Sequence, residues 1–350
     1  MKIGIIGGGQ LGRMLAQSAA QLGAKTIILC PDYAPPAAQV ANEHIQADYG
    51  NVEALMEFAS RVDMATYEFE NLPVDALAQL NKQVDIFPNI HALEIAQDRL
   101  AEKDFLNQTG IETAPYEAVD SYEDLQKAVQ NISLPAVLKT RRFGYDGKGQ
   151  MMMRQEDDVA MAWEALRSAP GGLILEGLVD FEREVSVIAA RGQDGQVKCY
   201  DPVWNTHENH ILSWSRVPSG LNDSSAGKAV AQAERLITAL DYVGTLTIEF
   251  FALADGTLKA NEIAPRVHNS GHWTIEGAVT SQFENHMRAV MGWPLGATTT
   301  LGTIEMRNLI GRDVDEVPEL AKDSQAHIHL YGKGAPRLGR KMGHVTWVKP

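Results

Sequence analysis

The chain has 350 residues, is 45% hydrophobic and 22% charged, and carries a formal net charge of −14. That length exceeds one ordinary core and predicts two or three domains. The acidic balance argues against a nucleic-acid scaffold or an anionic-membrane binder, both of which need an accumulated basic surface. Local basic clusters are therefore expected to serve small anions. Cys30 and Cys199, the only cysteines, lie in apolar surroundings without C-x-x-C spacing, which predicts buried free thiols and a reducing cytoplasm. The apolar run at 3–6 ends in three glycines and is no signal peptide, and no apolar run approaches the length of a membrane span.

Residues 1–97 read as alternating strand and helix: strand 2–6, helix 11–22, strand 25–29, helix 52–60, strand 64–69, helix 74–80 and strand 84–87. This rhythm predicts an α/β unit with a parallel, doubly wound sheet. Gly7-Gly8-Gly9-Gln10-Leu11-Gly12 satisfies G-x-G-x-x-G between the first strand and helix, and Asp32 follows the second strand. Alone, this would suggest an NAD(P)-dependent oxidoreductase. Pro31 before Asp32 and the Pro35-Pro36 turn after it leave its aim at a ribose unset. What survives is a helix N-terminus suited to a phosphate, one that could belong to a substrate. A long helix is expected over about 92–108, ending at Gly110.

From residue 98 to about 290 strand candidates come in adjacent pairs, as in an antiparallel α+β unit: 136–140 with 150–153, 182–191 with 197–203, and 245–253 with 257–263. Gln193-Asp194-Gly195 and Asp255-Gly256 sit where hairpin turns belong. Helices at 122–129, 157–167 and 226–240 would cover one face. Between the first pair lies Lys139-Thr140-Arg141-Arg142-Phe143-Gly144-Tyr145-Asp146-Gly147-Lys148-Gly149-Gln150. Its three glycines let backbone N–H groups approach an anion, and four cations surround them. The order and context differ from a P-loop, so the segment reads as a phosphate-binding lid between two strands.

A count outward from Asp255-Gly256 places Glu249 and Glu262 nearly opposite each other. Two neighbouring carboxylates in an apolar sheet repel each other unless a cation or a basic group lies between them, and ordinary strand glutamates bridged to Arg266 or Lys259 are the alternative. Mg²⁺ fits, taking one or two carboxylates and completing its shell with water and nucleotide phosphates. Asn261 would face away unless the strand ends or bulges there. His207-Glu208-Asn209-His210 is one residue short of H-E-x-x-H and is not read as a zinc site. The last segment, 291–350, is β-rich, with strands at 303–306, 326–331 and 344–348.

These segments, in this order, resemble the ATP-grasp superfamily, and within it the ATP-dependent carboxylases of 5-aminoimidazole ribonucleotide (AIR) in purine biosynthesis. Tyr145-Asp146-Gly147-Lys148-Gly149-Gln150 and the run from Asn261 to His272 carry the resemblance, which spans the whole chain. It implies an ATP-grasp fold at 98–290, preceded by a Rossmann-like pre-ATP-grasp domain at 1–97 and followed by a small β-rich domain at 291–350. It implies ATP, Mg²⁺ (with Mn²⁺ as an alternative) and bicarbonate, with carboxyphosphate as intermediate, and a homodimer. The product would pass to a separate mutase.

By the resemblance, ATP is contacted by Arg99, Lys139, the loop Gly144, Tyr145, Asp146, Gly147, Lys148, Gly149 and Gln150, the adenine segment Glu176, Gly177, Leu178 and Val179, and by Glu184, His207, Asn261 and Glu262. Glu249 and Glu262 match magnesium ligands. Gln10, Leu11, Glu70, Asn269 and the basic Lys333, Arg340 and Lys341 match positions that bind the ribonucleotide and its phosphate. Tyr145, Asp146, Lys148 and His268 form the expected carboxylation centre. Lys148 often has an arginine counterpart in these enzymes and lacks its bidentate fork. The nearest rival is the formate-dependent glycinamide ribonucleotide transformylase. A biotin carboxylase would be longer.

Overall fold

The computed structural model describes residues 1–144 and 148–349. The N-terminal unit contains β1 (Lys2–Ile6), α1 (Gln10–Gln21), β2 (Lys25–Cys30), β3 (Glu43–Gln46), α2 (Val52–Arg61), β4 (Met64–Tyr67) and α3 (Val74–Leu80). Its strands form a parallel sheet in the order β3-β2-β1-β4. β1 is apolar on both sides because helices cover both faces. Ile3 and Ile5 pack with Leu11, Met14 and Leu15 of α1, while Ile6 packs with Leu55 and Phe58 of α2.

Three elements differ from the sequence reading here. Edge strand β3 has a single buried apolar residue, Ile45, and so carried no strand signal. The strand expected at 84–87 is one bridge, Ala65 to Ile86; Pro88, lacking an N–H, cannot extend the ladder. The helix expected at 92–108 is also two helices, α4 (Ile90–Ala96) and α5 (Arg99–Gln108). Asp98 leaves helical geometry (φ −131°, ψ 114°) and its carboxylate accepts from the N–H groups of Leu100 and Ala101. Such a cap contributes about 1 kcal/mol, and it starts a new helix at Arg99.

The second layer consists of β5 (Tyr116–Val119), α6 (Tyr122–Ile132), β6 (Ala136–Thr140), β7 (Gln150–Met153), α7 (Asp157–Leu166) and β8 (Leu173–Gly177). The antiparallel sheet runs β5-β8-β6-β7. Val119, Leu138, Leu173 and Leu175 pack under Leu125 and Ala128 of α6 and Val159 and Ala162 of α7. Strand alternation therefore sends Lys139 and Glu176 to the opposite face.

The third layer is one large sheet. Its strands are β9 (Arg183–Arg191), β10 (Val197–Cys199), β11 (Val203–Glu208), β12 (Ile211–Val217), β13 (Gly244–Ala252), β14 (Leu258–Ala264), β15 (Thr303–Ile310), β16 (His327–Leu330) and β17 (Lys341–Lys349). They run β14-β13-β9-β11-β12-β15-β17-β16, with β10 beside β9. The strand expected at 197–203 is broken into β10 and β11 around Pro202, and β12 was not anticipated. The C-terminal strands continue the same sheet through β12 and β15. Helix α8 (Asp223–Ala239) covers one face, packing Ala229, Ala233 and Leu236 on Val185, Val187, Leu246 and Ile248. The other face is left for Glu184, Ser186, Glu249 and Glu262.

After the short α9 (Thr274–Gly277), helix α10 (Gln282–Val290) ties the N-terminal unit to this sheet. Phe283, Met287 and Val290 pack against α1. His286 accepts from the Thr245 N–H at Nδ1 (3.1 Å) and lies 2.8 Å from Thr66 Oγ1 through Nε2. The fixed backbone donor makes Nδ1 an acceptor, so the ring is neutral and gives its Nε2–H to Thr66. Burial lowers its pKa to about 3. The unfolded chain binds this proton near pH 6.5 and the folded chain does not, so stability falls as pH drops below about 6.5, by up to about 1.4 kcal/mol per unit. Urea unfolding should show His286→Gln to be less stable than the native chain at neutral pH but with a shallower acid decline. An unchanged decline would remove His286 from that role.

Candidate active site

Glu249 on β13 and Glu262 on β14 are register partners across the hairpin, as the turn count anticipates. A bulge follows immediately: Phe250 pairs with Ala260, which leaves Asn261 as the extra residue. That bulge answers the alternation problem posed by Asn261. Glu249 is pushed up to about 7, by burial first and then by Glu262. Arg99 Nη1 lies 3.3 Å from Glu262 Oε2, and His268 Nε2 lies 3.3 Å from Glu249 Oε1. Burial first, and Arg266 next, hold His268 well below its usual pKa, so it supplies no positive charge.

Helix α5 brings three charges to this point. Arg99, Glu102 and Lys103 share one helical face. Lys103, almost fully buried, lies 3.1 Å from Glu176 Oε2, and Lys139 Nζ lies 3.0 Å from the same oxygen. Burial would raise Glu176, but Lys139 and then Lys103 overcome it and hold the carboxylate at about 2. Lys103 also reaches the Asn261 carbonyl at 3.4 Å, and Glu102 accepts from the Ile263 N–H at 2.6 Å. Burial and Glu262 push Glu102 up to about 8. The sequence reading missed Glu102 and Lys103; the spacing i, i+3, i+4 from Arg99 was the available signal.

The glycine-rich loop starts against this cluster. The Arg99 N–H donates to the Arg141 carbonyl at 2.9 Å, and a Cβ built on Gly144 would stand 3.6 Å from Arg99 Nη2. Gly149 adopts φ 71°, and a Cβ there would meet Thr140 Oγ1 at 2.7 Å, so glycine is required. Tyr145, Asp146 and Gly147 lie outside the described residues. Lys148 lies in the turn leading to Gln150, the first residue of β7.

In the segment after Glu176, the Gly177 and Leu178 N–H groups donate to the carbonyls of Pro115 and Pro135. Those two donors are committed within the fold. Glu184 on β9 and His207 on β11 form a hydrogen bond. Burial would lower His207, but the bond and charge of Glu184 raise it. Both line a cavity of about 510 Å³ with Phe181 and Trp204.

Facing this cluster is the N-terminal unit. The Gly9 N–H donates to Glu68 Oε1 at 2.7 Å, and a Cβ on Gly7 (φ 118°) would strike the same carboxylate. Buried Glu68, which the sequence reading missed, thus fills the space where a dinucleotide phosphate would sit. Gln10 begins α1, and the Leu11 side chain belongs to the core, which leaves its backbone to meet any ligand. Glu70 Oε2 takes 2.9 Å contacts from Nε and Nη2 of Arg266. Asn269 is buried, its Nδ2 on Asn308 and its Oδ1 without a protein partner among the described residues. Lys333 is drawn down to about 8, by burial first and then by Arg340 and Lys341, so these three cations lie close together.

Family models match in three consecutive pieces: a ribonucleotide synthetase preATP-grasp domain over 1–97, an ATP-grasp domain over 104–283, and a phosphoribosylaminoimidazole carboxylase C-terminal domain over 305–350. The fold and site are therefore those of an ATP-grasp ligase. The N5-carboxyaminoimidazole ribonucleotide synthase of Brucella melitensis is 53% identical, over 99% of this chain and 96% of its own length. A solved N5-carboxyaminoimidazole ribonucleotide synthetase in complex with ADP superposes with a TM-score of 0.96 at 41% identity, covering 99% of this chain and 92% of that one. The Aspergillus clavatus enzyme, solved with ADP and 5-aminoimidazole ribonucleotide, gives 0.93 at 32% identity, covering 100% and 94%. The chain belongs to the N5-carboxyaminoimidazole ribonucleotide synthase family.

The buried Lys103–Glu176–Lys139 group makes a stability prediction. Lys103→Met should destabilise the protein by about 3 kcal/mol, because Glu176 stays buried with one cation fewer. Adding Glu176→Gln should recover part of that loss in urea titrations. A Lys103→Met protein as stable as the native one would show that the pair contributes nothing.

Proposed function

We propose that the chain joins the carboxyl group of bicarbonate to the amine of AIR, cleaving ATP to ADP and phosphate and forming N5-carboxyaminoimidazole ribonucleotide for purine biosynthesis. ATP phosphorylates bicarbonate to carboxyphosphate. The amine then forms its C–N bond to the carboxyl carbon, the C–O bond to phosphate breaks, and the amine proton leaves. The observation that carries this reading is the in-register Glu249–Glu262 pair beside Arg99, Lys139 and the glycine loop, in a chain similar along its whole length to synthases of this product. Neither rival is favoured: the transformylase is a different branch, and Glu68 obstructs a dinucleotide at Gly7–Gly9.

Magnesium fits the residues present. Two oxygen donors stand opposed in a buried setting, and burial first and then Glu262 push the Glu249 carboxyl up. Among the described residues no three metal-capable side chains form a cage, which suits an ion that keeps water and phosphate in its shell. Glu249 and Glu262 would hold it, with Asn261 at its edge, and when bound it would neutralise charge on the transferring phosphoryl group.

The remaining roles follow the chemistry of each group. Phosphoryl transfer needs positioning and charge neutralisation more than a protein nucleophile. Arg99, Lys139, Gly144, Lys148, Gly149 and Gln150 serve the ATP phosphates. Glu176 to Val179 serve adenine, and Glu184 with His207 serve the ribose side. Gln10, Leu11, Glu70 and Asn269 orient AIR, and Lys333, Arg340 and Lys341 take its phosphate. His268 and Lys148, with Tyr145 and Asp146, serve the carboxylation centre. A homodimer, a separate mutase receiving the product and a cytoplasmic location complete the proposal; among the described residues no helix is long and apolar enough to cross a membrane.

The decisive measurement is ADP release with magnesium, comparing AIR with glycinamide ribonucleotide, each with bicarbonate or formate. AIR with bicarbonate should stimulate release; stimulation by glycinamide ribonucleotide and formate alone would sink the assignment. Glu262→Gln should lower turnover by at least about 100-fold with an unchanged circular dichroism spectrum. Retained activity would remove Glu262 as a ligand.

A further inference from the structure

Behind His268 runs a chain of buried hydrogen bonds that the reaction scheme leaves unused. His268 Nδ1 lies 2.8 Å from Ser270 Oγ, and Ser270 Oγ lies 2.8 Å from Ser186 Oγ. Asn205 Nδ2 donates to Ser186 Oγ at 2.9 Å, and Ser215 Oγ donates to Asn205 Oδ1 at 2.8 Å. Ser186, Ser215 and Ser270 are completely buried, so each hydroxyl has only these neighbours to satisfy it.

Hydroxyls and imidazoles can point either way, but one donor in the chain cannot. The backbone N–H of Ser270 also points at His268 Nδ1, at 3.3 Å. A backbone N–H only donates, so Nδ1 must accept. The Ser270 hydroxyl then gives its proton to Nδ1 and must itself accept from Ser186, which in turn accepts from Asn205. Every donor along the line points towards His268. With Nδ1 an acceptor, the proton of the neutral ring sits on Nε2, the atom 3.3 Å from Glu249.

We infer that Ser270, backed by Ser186 and Asn205, is a positioning residue that holds His268 as its Nε2–H tautomer. The ring then presents a hydrogen-bond donor, not a base, to the carboxylation centre. Resting on the reading of His268 as part of that centre, this assigns it to an anionic oxygen of bicarbonate or carboxyphosphate, and the proton lost from the AIR amine goes to a group other than His268 Nε2.

The test is ¹⁵N NMR of the nucleotide-free protein carrying ¹⁵N-histidine, near neutral pH. The His268 signals are identified by their loss in His268→Gln. The expected spectrum has Nδ1 at an unprotonated shift and a proton coupled to Nε2. Ser270→Ala should move the ring towards a tautomer mixture and lower bicarbonate-dependent turnover by about tenfold or more, leaving the KM for ATP unchanged. A wild-type Nδ1–H tautomer or an imidazolium would overturn the inference, as would a Ser270→Ala protein with native spectrum and turnover. Should that variant fail to fold, the wild-type spectrum still decides. The expected spectrum in a protein inactive on AIR would uphold the tautomer and sink the reaction assignment, so the two failures are separable.

Discussion

Helix α5 begins where three layers meet, and its buried charges are satisfied by partners from more than one of them. Arg99 reaches Glu262 on the large sheet, Lys103 reaches Glu176 on the small sheet, and the Arg99 N–H holds the first turn of the glycine-rich loop. Gln97, just ahead, gives its amide protons to the carbonyls of Glu70 and Leu72 in the N-terminal unit and accepts from Arg142. Unpaired buried charges cost several kcal/mol, so these links constrain the layers to one arrangement. The Asp98 cap makes that possible, because a helix continuous through residues 97–98 would aim the same side chains elsewhere.

The site balances opposite excesses at close range. A chain with 45 acidic residues to 31 basic ones gathers Arg99, Lys103 and Lys139 around Glu262 and Glu176. Glu176 is held ionised by two lysines, while burial and the facing Glu262 drive Glu249 the other way. The same residue type thus takes opposite protonation tendencies on two different sheets, set by what surrounds it.

Much of this was legible in the sequence. Strand-helix alternation exposed the parallel sheet, and a residue count from Asp255-Gly256 found the register of Glu249 and Glu262, since hairpin geometry is local. What escaped reading depended on distant partners. Glu102 and Lys103 look like ordinary surface charges on a helix until Ile263 and Glu176 come against them. Glu68 looks like a strand-end carboxylate until the Gly9 N–H meets it. β3, with one buried apolar residue, carries no pattern of its own. Ser270, Ser186 and Asn205 come from three separated segments, and nothing local marks them as one hydrogen-bonded line.

The large sheet joins the glutamates to the C-terminal cations in one hydrogen-bonded fabric. Five inter-strand steps separate β13 from β17, which in a flat sheet would be about 24 Å. Lys341 on β17 nevertheless lies close enough to bear on the charge of Glu249 and of His268. Bulges at Thr206/His207, Glu249/Phe250 and Leu309/Ile310 interrupt its ladders, and bulges bend strands. The fold therefore works as a caliper. Its jaws are the Glu249–Glu262 hairpin and the basic tail, and their gap is set by backbone curvature rather than by the length of any loop. Insertions in surface loops should leave that gap untouched, whereas a single residue added to or removed from a bulge would reset it.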